Sequence, residues 1–208
     1  MTLLIQRQDQ LRALASPLRQ EIVDALQASP QGSTIAALAQ RLNRRPDSLY
    51  FHLRALQRVA LVRRIGHTGV GRDRAALYAL PDRPARIAYP PAKRSGHLAP
   101  VLDAILRLAR RDVRRALALP AVRAEGDSRQ LWVARARGWL RPDQLARANA
   151  LLNELFDLLN QSPPAPDTEP IALAFALTPL AESKARAPKR PTAPMAGPRR
   201  AAPKADIP

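Results

Sequence analysis

The chain has 208 residues, and its 34 lysines and arginines against 17 aspartates and glutamates give a formal charge of +17, which points to a polyanionic partner. The absence of cysteine excludes thiolate zinc sites, iron–sulfur clusters, disulfide scaffolds and cysteine nucleophiles. No apolar run reaches the roughly 18 residues of a membrane span and the first residues lack a signal-peptide layout, so we expect a cytoplasmic protein.

The first 45 residues predict three short helices. Apolar residues recur at helical spacing from Leu11 to Leu26, but the pair Ser16-Pro17 interrupts them. Because proline has no N–H to lose at the first helical position, one helix is expected to end near residue 15 and a second to run over about 17–28. Thr34 can then cap a third helix.

A fourth helix is predicted over residues 46–58, where Pro46 again offers the first helical position. Leu49, Leu53 and Leu56 follow the spacing i, i+4, i+7 and therefore share one side of the helix. The opposite side presents Asp47, Phe51, Arg54 and Arg58, flanked by Ser48 and Tyr50. This layout is typical of a helix-turn-helix, and the alternative is a helical hairpin with a solvated basic side.

The next residues argue against a plain helical hairpin. Segments 61–65 and 75–80 have the composition of short strands, and residues 66–74 between them are rich in glycine and arginine. We interpret residues 66–74 as the wing of a winged helix. Nine arginines and two aspartates between Arg41 and Arg74 give this window a charge of +7, and residues 181–208 carry a further +5 of the total of +17.

Residues 11–80 resemble the ArsR-type winged helix-turn-helix transcription regulators of bacteria. The resemblance lies in LASPLRQEI at 14–22, IAALA at 35–39, YFHLRAL at 50–56 and the Leu-Val pair at 61–62. It implies a homodimer that binds a pseudo-palindromic DNA site and a bacterial nucleoid location. The family's metal-sensing cysteines are absent, and Ala60 stands where such proteins usually have glycine. If that position requires a positive φ, alanine costs about 1 kcal/mol.

In this geometry the fourth helix enters the major groove, where Arg54 and Phe51 are expected to contact bases. Phosphate contacts are expected from the ends of the helix and from two hydroxyl groups, namely Arg44, Arg45, Arg58, Ser48 and Tyr50. In the wing, the residues expected to contact the backbone or the minor groove are Thr68, Arg72 and Arg74. His52 is interpreted as a packing or phosphate-contact residue. The three histidines have no ligand spacing, so neither a metal nor a cofactor is expected.

The second half of the chain is harder to interpret. A proline-rich linker is predicted over 83–98, followed by a helix over 100–118 with apolar residues on one side and arginines on much of the rest. That helix either covers its own domain's core or packs across a dimer axis. A strand over 130–137, a helix ending near 161 and a strand over 171–177 form a predicted strand–helix–strand unit, with Trp132 and Trp139 as core anchors.

The fold class predicted is mainly α with a small β component. A winged helix-turn-helix domain (1–82) precedes the linker and a C-terminal dimerisation or effector region (99–180), and a disordered basic tail (181–208) either solubilises the chain or contacts phosphates. No catalytic grouping appears, so an enzyme is not expected. The leading hypothesis is a sequence-specific regulator that binds double-stranded DNA as a homodimer. The alternatives are a general binder of RNA or other nucleic acid, and a small-molecule sensor.

Overall fold

The structure is a computed structural model that describes residues 2–88, 96–162 and 164–180, and the side chain of Arg72 is also outside it. The predicted basic tail and residues 89–95 of the predicted linker therefore lie outside the described residues. The chain divides into two compact units, Met1–Ala174 and Phe175–Pro208. The first unit contains every helix and strand described below.

The described residues form a mainly α structure with two small sheets, which confirms the predicted fold class. A short 3-10 turn at Gly71–Asp73 lies in the wing. In chain order the elements are β1 Leu3–Ile5, α1 Gln8–Leu14, α2 Pro17–Gln27, β2 Ser33–Thr34, α3 Ile35–Arg41, α4 Pro46–Arg58, β3 Arg63–Thr68, β4 Ala75–Ala79, β5 Ala85–Ile87, α5 Ala99–Leu117 and α6 Pro142–Gln161.

The helices of the N-terminal half begin and end close to the predicted positions. Pro17 and Pro46 each occupy the first turn of a helix, where the missing N–H costs nothing. The Thr34 hydroxyl accepts a hydrogen bond from the Ala37 N–H at 3.2 Å and caps α3 as predicted. Ser16 has the extended backbone of an N-cap, although its side chain makes no capping hydrogen bond.

The wing is an antiparallel hairpin of β3 and β4, and β2 pairs with the other edge of β4. Strand β3 continues to Thr68, three residues beyond the predicted end, because its pairing with β4 reaches Ala75. Gly32 precedes β2 with a φ of +82°, and a Cβ there would lie 3.0 Å from the Tyr78 carbonyl oxygen. The close approach of these strands therefore requires glycine at this position.

A second sheet joins the two ends of the N-terminal half. Strand β5 lies within the predicted linker 83–98 and pairs in parallel with β1, with Ile5 opposite Ile87. The Ala85 N–H donates to Gln27 Oε1 at 3.1 Å, so α2 also holds this segment. Neither strand was predicted, because three residues are too few to show an alternating pattern.

One hydrophobic core joins α1–α4 to the start of α5. The Leu53 and Leu56 side chains from α4 and the Val101 side chain from α5 are almost completely buried in it. The buried Gln20 side chain donates to the carbonyl oxygens of Leu14 at 2.7 Å and Val101 at 3.2 Å. Helix α5 therefore packs on α1 and α2 of its own chain, which agrees with the predicted alternative that this helix covers its own domain's core.

Of the predicted strand–helix–strand unit, the structure contains only the helix, α6. Residues 131–140 and 169–180 have no regular secondary structure, so both predicted strands are wrong. Alternating apolar residues form a sheet only where a neighbouring strand satisfies the backbone, and no strand in the described part of the chain pairs with either segment. Trp132 and Trp139 are 67% and 87% exposed, so they are not core anchors.

Candidate nucleic-acid interface

The turn between α3 and α4 fixes how α4 is presented. Asn43 adopts a φ of +50° in this turn, and the Arg44 N–H donates to the Ala39 carbonyl oxygen at 2.8 Å. The leucines of α4 are buried against the core, as their spacing predicted. The opposite side of the helix therefore faces solvent along its whole length.

The outer side of α4 combines an aromatic ring with arginines. Phe51 is 70% exposed, although a phenyl ring of this size is normally buried. Arg54 lies one turn further along the helix and is also exposed. Among the described residues, no arginine between 44 and 64 forms an ion pair. These guanidinium groups are available to an anionic ligand.

The start of α4 places further predicted residues at the same surface. Arg44, Arg45, Ser48 and Tyr50 are all exposed there, and Arg58 is exposed at the opposite end of the helix. The Ser48 hydroxyl donates to the Arg45 carbonyl oxygen at 2.7 Å, so its proton is already used within the protein. All predicted contact residues of α4 and of the turn before it are therefore exposed.

His52 lies between the exposed and the buried sides of α4. Its ring packs edge-on against Phe51 with the centroids 5.5 Å apart. Burial, followed by the positive charge of Arg19 on α2, lowers the pKa of His52 below its ordinary value, which favours the neutral imidazole. This surrounding supports a packing role and argues against a charged contact to phosphate.

The wing presents a second group of polar side chains. Thr68 is exposed at the end of β3, and Arg74 is exposed just before β4. The Arg74 guanidinium lies 3.3 Å from His67 Nδ1 across the hairpin. Gly69 has a φ of +77°, and a Cβ there would lie 2.4 Å from the Asp73 carbonyl oxygen, so glycine permits this tight turn. The predicted contact residue Arg72 has its side chain outside the described residues.

The arginines between 41 and 74 have different surroundings in the structure. The Arg41 guanidinium donates to the Ala25 carbonyl oxygen at 2.9 Å and to Ser29 Oγ at 2.8 Å, so it ties α3 to α2. Arg63 and Arg64 are exposed on β3, although no role was predicted for them. Only their membership of an arginine-rich stretch could have drawn attention to them.

Within the described residues, no group of three or more histidine, aspartate or glutamate side chains has an arrangement that could hold a metal ion. In the same part of the chain, no helix is both long enough and apolar enough to cross a bilayer.

Comparison with known protein families supports the helix-turn-helix interpretation of α3 and α4. A family model described as a helix-turn-helix domain matches residues 14–65, a quarter of the chain, from the end of α1 into β3. No curated protein matches the chain. The matched domain is a DNA-binding domain and not an enzymatic one, so the match supports a helix-turn-helix regulator that binds DNA.

Proposed function

We propose that the protein is a sequence-specific transcription regulator of the ArsR type that binds double-stranded DNA as a homodimer. The observation that carries this proposal is the outer side of α4, where Phe51 and Arg54 project into solvent while the leucines of the same helix anchor it in the core. A helix held in this way can enter the major groove of DNA without changing its own structure.

Base recognition falls to the two central side chains of α4. The Arg54 guanidinium can donate two hydrogen bonds to guanine O6 and N7, and the Phe51 ring can contact a thymine methyl group. In the described structure Arg54 forms no ion pair, and Phe51 remains largely exposed although the His52 ring packs edge-on against it. A bidentate arginine–guanine contact contributes about 1–3 kcal/mol of discrimination against the wrong base.

The remaining predicted residues supply affinity that does not depend on sequence. Arginines at both ends of α4 and in the wing would neutralise phosphates, and the Tyr50 and Thr68 hydroxyls would donate hydrogen bonds to the DNA backbone. Ser48 could donate to the DNA only after releasing the Arg45 carbonyl oxygen. The proposed backbone or minor-groove contacts are Arg44, Arg45, Ser48, Tyr50, Arg58, Thr68, Arg72 and Arg74.

The homodimer follows from how such modules bind DNA. One recognition helix covers only a few base pairs, whereas two copies related by a two-fold axis bind a palindrome with much higher specificity. The described structure offers apolar surface for this contact, since Leu102 and Leu106 on α5 remain exposed in the single chain. The dimerisation region is therefore proposed to lie after residue 98.

The test is selection of bound sequences from random duplex DNA, followed by Kd measurements on the winning and a scrambled site at two salt concentrations. A palindromic winner preferred by about a thousandfold is expected. Arg54→Ala should cost about 1–3 kcal/mol on the winning site and much less on the scrambled one. The matched variant Arg74→Ala should weaken binding to both sites equally.

Two outcomes would contradict the proposal. A steep salt dependence without any winning sequence would indicate general nucleic-acid binding, which the charge of +17 also permits. Equal losses on both sites for Arg54→Ala would assign that arginine to phosphate contacts.

A further inference from the structure

Helix α5 has two sides with different surroundings. The inner side packs on α1 and α2 through Val101 and Ala104, and Arg111 forms an ion pair with Glu21 of α2 at 2.6 Å. A second side carries apolar residues spaced four, three, four and four positions apart, which places them along one line of the helix. We call this line the α5 stripe, and it consists of Leu102, Leu106, Ala109, Val113 and Leu117. Its three leucines are exposed.

Helix α6 is also held by one side only. Arg86 of β5 forms an ion pair with Asp157, donates to Asn153 Oδ1 at 3.0 Å and lies over the Phe156 ring at 4.8 Å. The opposite side carries three exposed leucines at i, i+4 and i+7, and no residue of this helix is fully buried. We call these residues the α6 stripe, and they are Leu151, Leu155 and Leu158.

The two helices match in length and are opposite in net charge, although the α6 stripe is shorter than the α5 stripe. With 19 and 20 residues, both helices are about 30 Å long. Helix α5 carries five arginines and two aspartates, whereas α6 carries three carboxylates and one arginine. Pairing α5 with a second α5 would bring two arginine-rich helices together, and pairing α6 with α6 would bring two acidic ones together. Only the mixed pair is attractive in both its apolar and its charged groups.

We propose that the α5 stripe of one copy packs against the α6 stripe of a second copy, and the reverse. This inference rests on the proposed homodimer and names the surfaces that form it. Both stripes face solvent within the single chain while Arg86 holds the other side of α6, so a second copy is the partner that can cover them. Two-fold symmetry repeats the helix pair, which favours the roughly 800 Å² per partner typical of stable interfaces.

The absence of cysteine from the chain makes the test direct. Full-length Leu106→Cys and Leu151→Cys variants, each changed near the middle of its helix, are mixed and treated with a short bis-maleimide. One variant carries a size tag, so that the mixed dimer separates from both like-with-like dimers on a denaturing gel. The mixed product is expected to predominate, and each variant treated alone should remain at the 22.9 kDa of one chain.

A second pair, Leu102→Cys with Leu155→Cys, repeats the test at other positions of the two stripes, in case one of the first substitutions disturbs its own helix. Cross-linking of Leu106→Cys with itself would assign the interface to α5 alone, and cross-linking of Leu151→Cys with itself would assign it to α6 alone. Either result, or the absence of any product from both pairs, would overturn the inference.

Charge reversal tests the same contact in solution. Arg110→Glu should weaken dimerisation about tenfold in sedimentation equilibrium, and adding Glu154→Arg should recover most of the loss. Arg135→Glu changes the net charge equally outside both helices and should have little effect. Recovery that is no better with Glu154→Arg than without it would contradict the pairing.

DNA selection with the same proteins separates this inference from the proposed function. Sequence-specific binding by a protein that cross-links only like with like would overturn the α5–α6 contact and leave the regulator intact. A mixed cross-link in a protein that selects no DNA sequence would support the α5–α6 contact and contradict the proposed sequence-specific regulator.

Discussion

The winged-helix half and the C-terminal half of this chain place their leucines differently. In α2–α4, leucines at helical spacing are buried in one core. The aromatic ring of Phe51 on α4 points away from that core and is largely exposed. In α6 the leucines at the same spacing remain in solvent. Because exposed apolar side chains in a regular pattern often mark contact surfaces, this difference fits our proposal that the first half contacts DNA and the second half a second copy of the chain.

The largest predicted change in stability comes from replacing by alanine one leucine of α4 and one leucine at the same kind of position in α6. Leu53 of α4 is 1% exposed, so Leu53→Ala should destabilise the protein by about 2–5 kcal/mol through the cavity that it leaves. Leu155 of α6 is 41% exposed, and Leu155→Ala should cost less than about 1 kcal/mol in the isolated chain. Urea unfolding at protein concentrations that favour single chains measures both values.

The same two variants sharpen the comparison at higher protein concentration. If the α6 stripe is covered in a dimer, the deficit of Leu155→Ala should grow with concentration, whereas that of Leu53→Ala should stay constant. Equal destabilisation by the two substitutions in the isolated chain would show that α6 belongs to the same core as α4.

The next largest effect concerns the junction between the two halves. The buried Gln20 amide donates to the carbonyl oxygens of Leu14 and Val101, so Gln20→Ala should cost roughly 1–3 kcal/mol by removing both hydrogen bonds from the interior. Gln20→Met keeps the volume but not the donor and should cost nearly as much. The exposed Gln40→Ala on α3 serves as control, with a change in urea midpoint close to zero. An unchanged midpoint for Gln20→Met would assign the loss to packing instead.

Sequence periodicity predicted α2, α3 and α4 because each of these helices has its own start signal and its own line of buried apolar residues. Pro17, Thr34 and Pro46 set boundaries that local chemistry alone enforces. The exposure of Phe51 and Arg54 followed from the leucine spacing of α4. Strand β5, in contrast, depends on pairing with β1 some 80 residues away, which no local pattern records.

The errors in the second half have the same origin. The alternation around Trp132 resembled a strand, but a strand forms only with a partner, and the described chain supplies none. A surface that is completed by another molecule leaves the same apolar pattern in the sequence as a surface that is buried within one chain. Sequence alone could therefore locate the apolar residues of the C-terminal half without showing what covers them.

The smallest predicted effect lies at the turn after α4. Ala60 has a φ of +56°, which confirms that this position requires the left-handed conformation that glycine adopts without strain. Ala60→Gly should stabilise the protein by up to about 1 kcal/mol, because relief of the strain exceeds the added freedom of the unfolded chain. The exposed Ala36→Gly within α3 has no such strain to relieve and should destabilise by a similar amount. Thermal unfolding of both variants measures the difference, and a loss of stability in Ala60→Gly would mean that the alanine side chain contributes more by packing than its backbone costs.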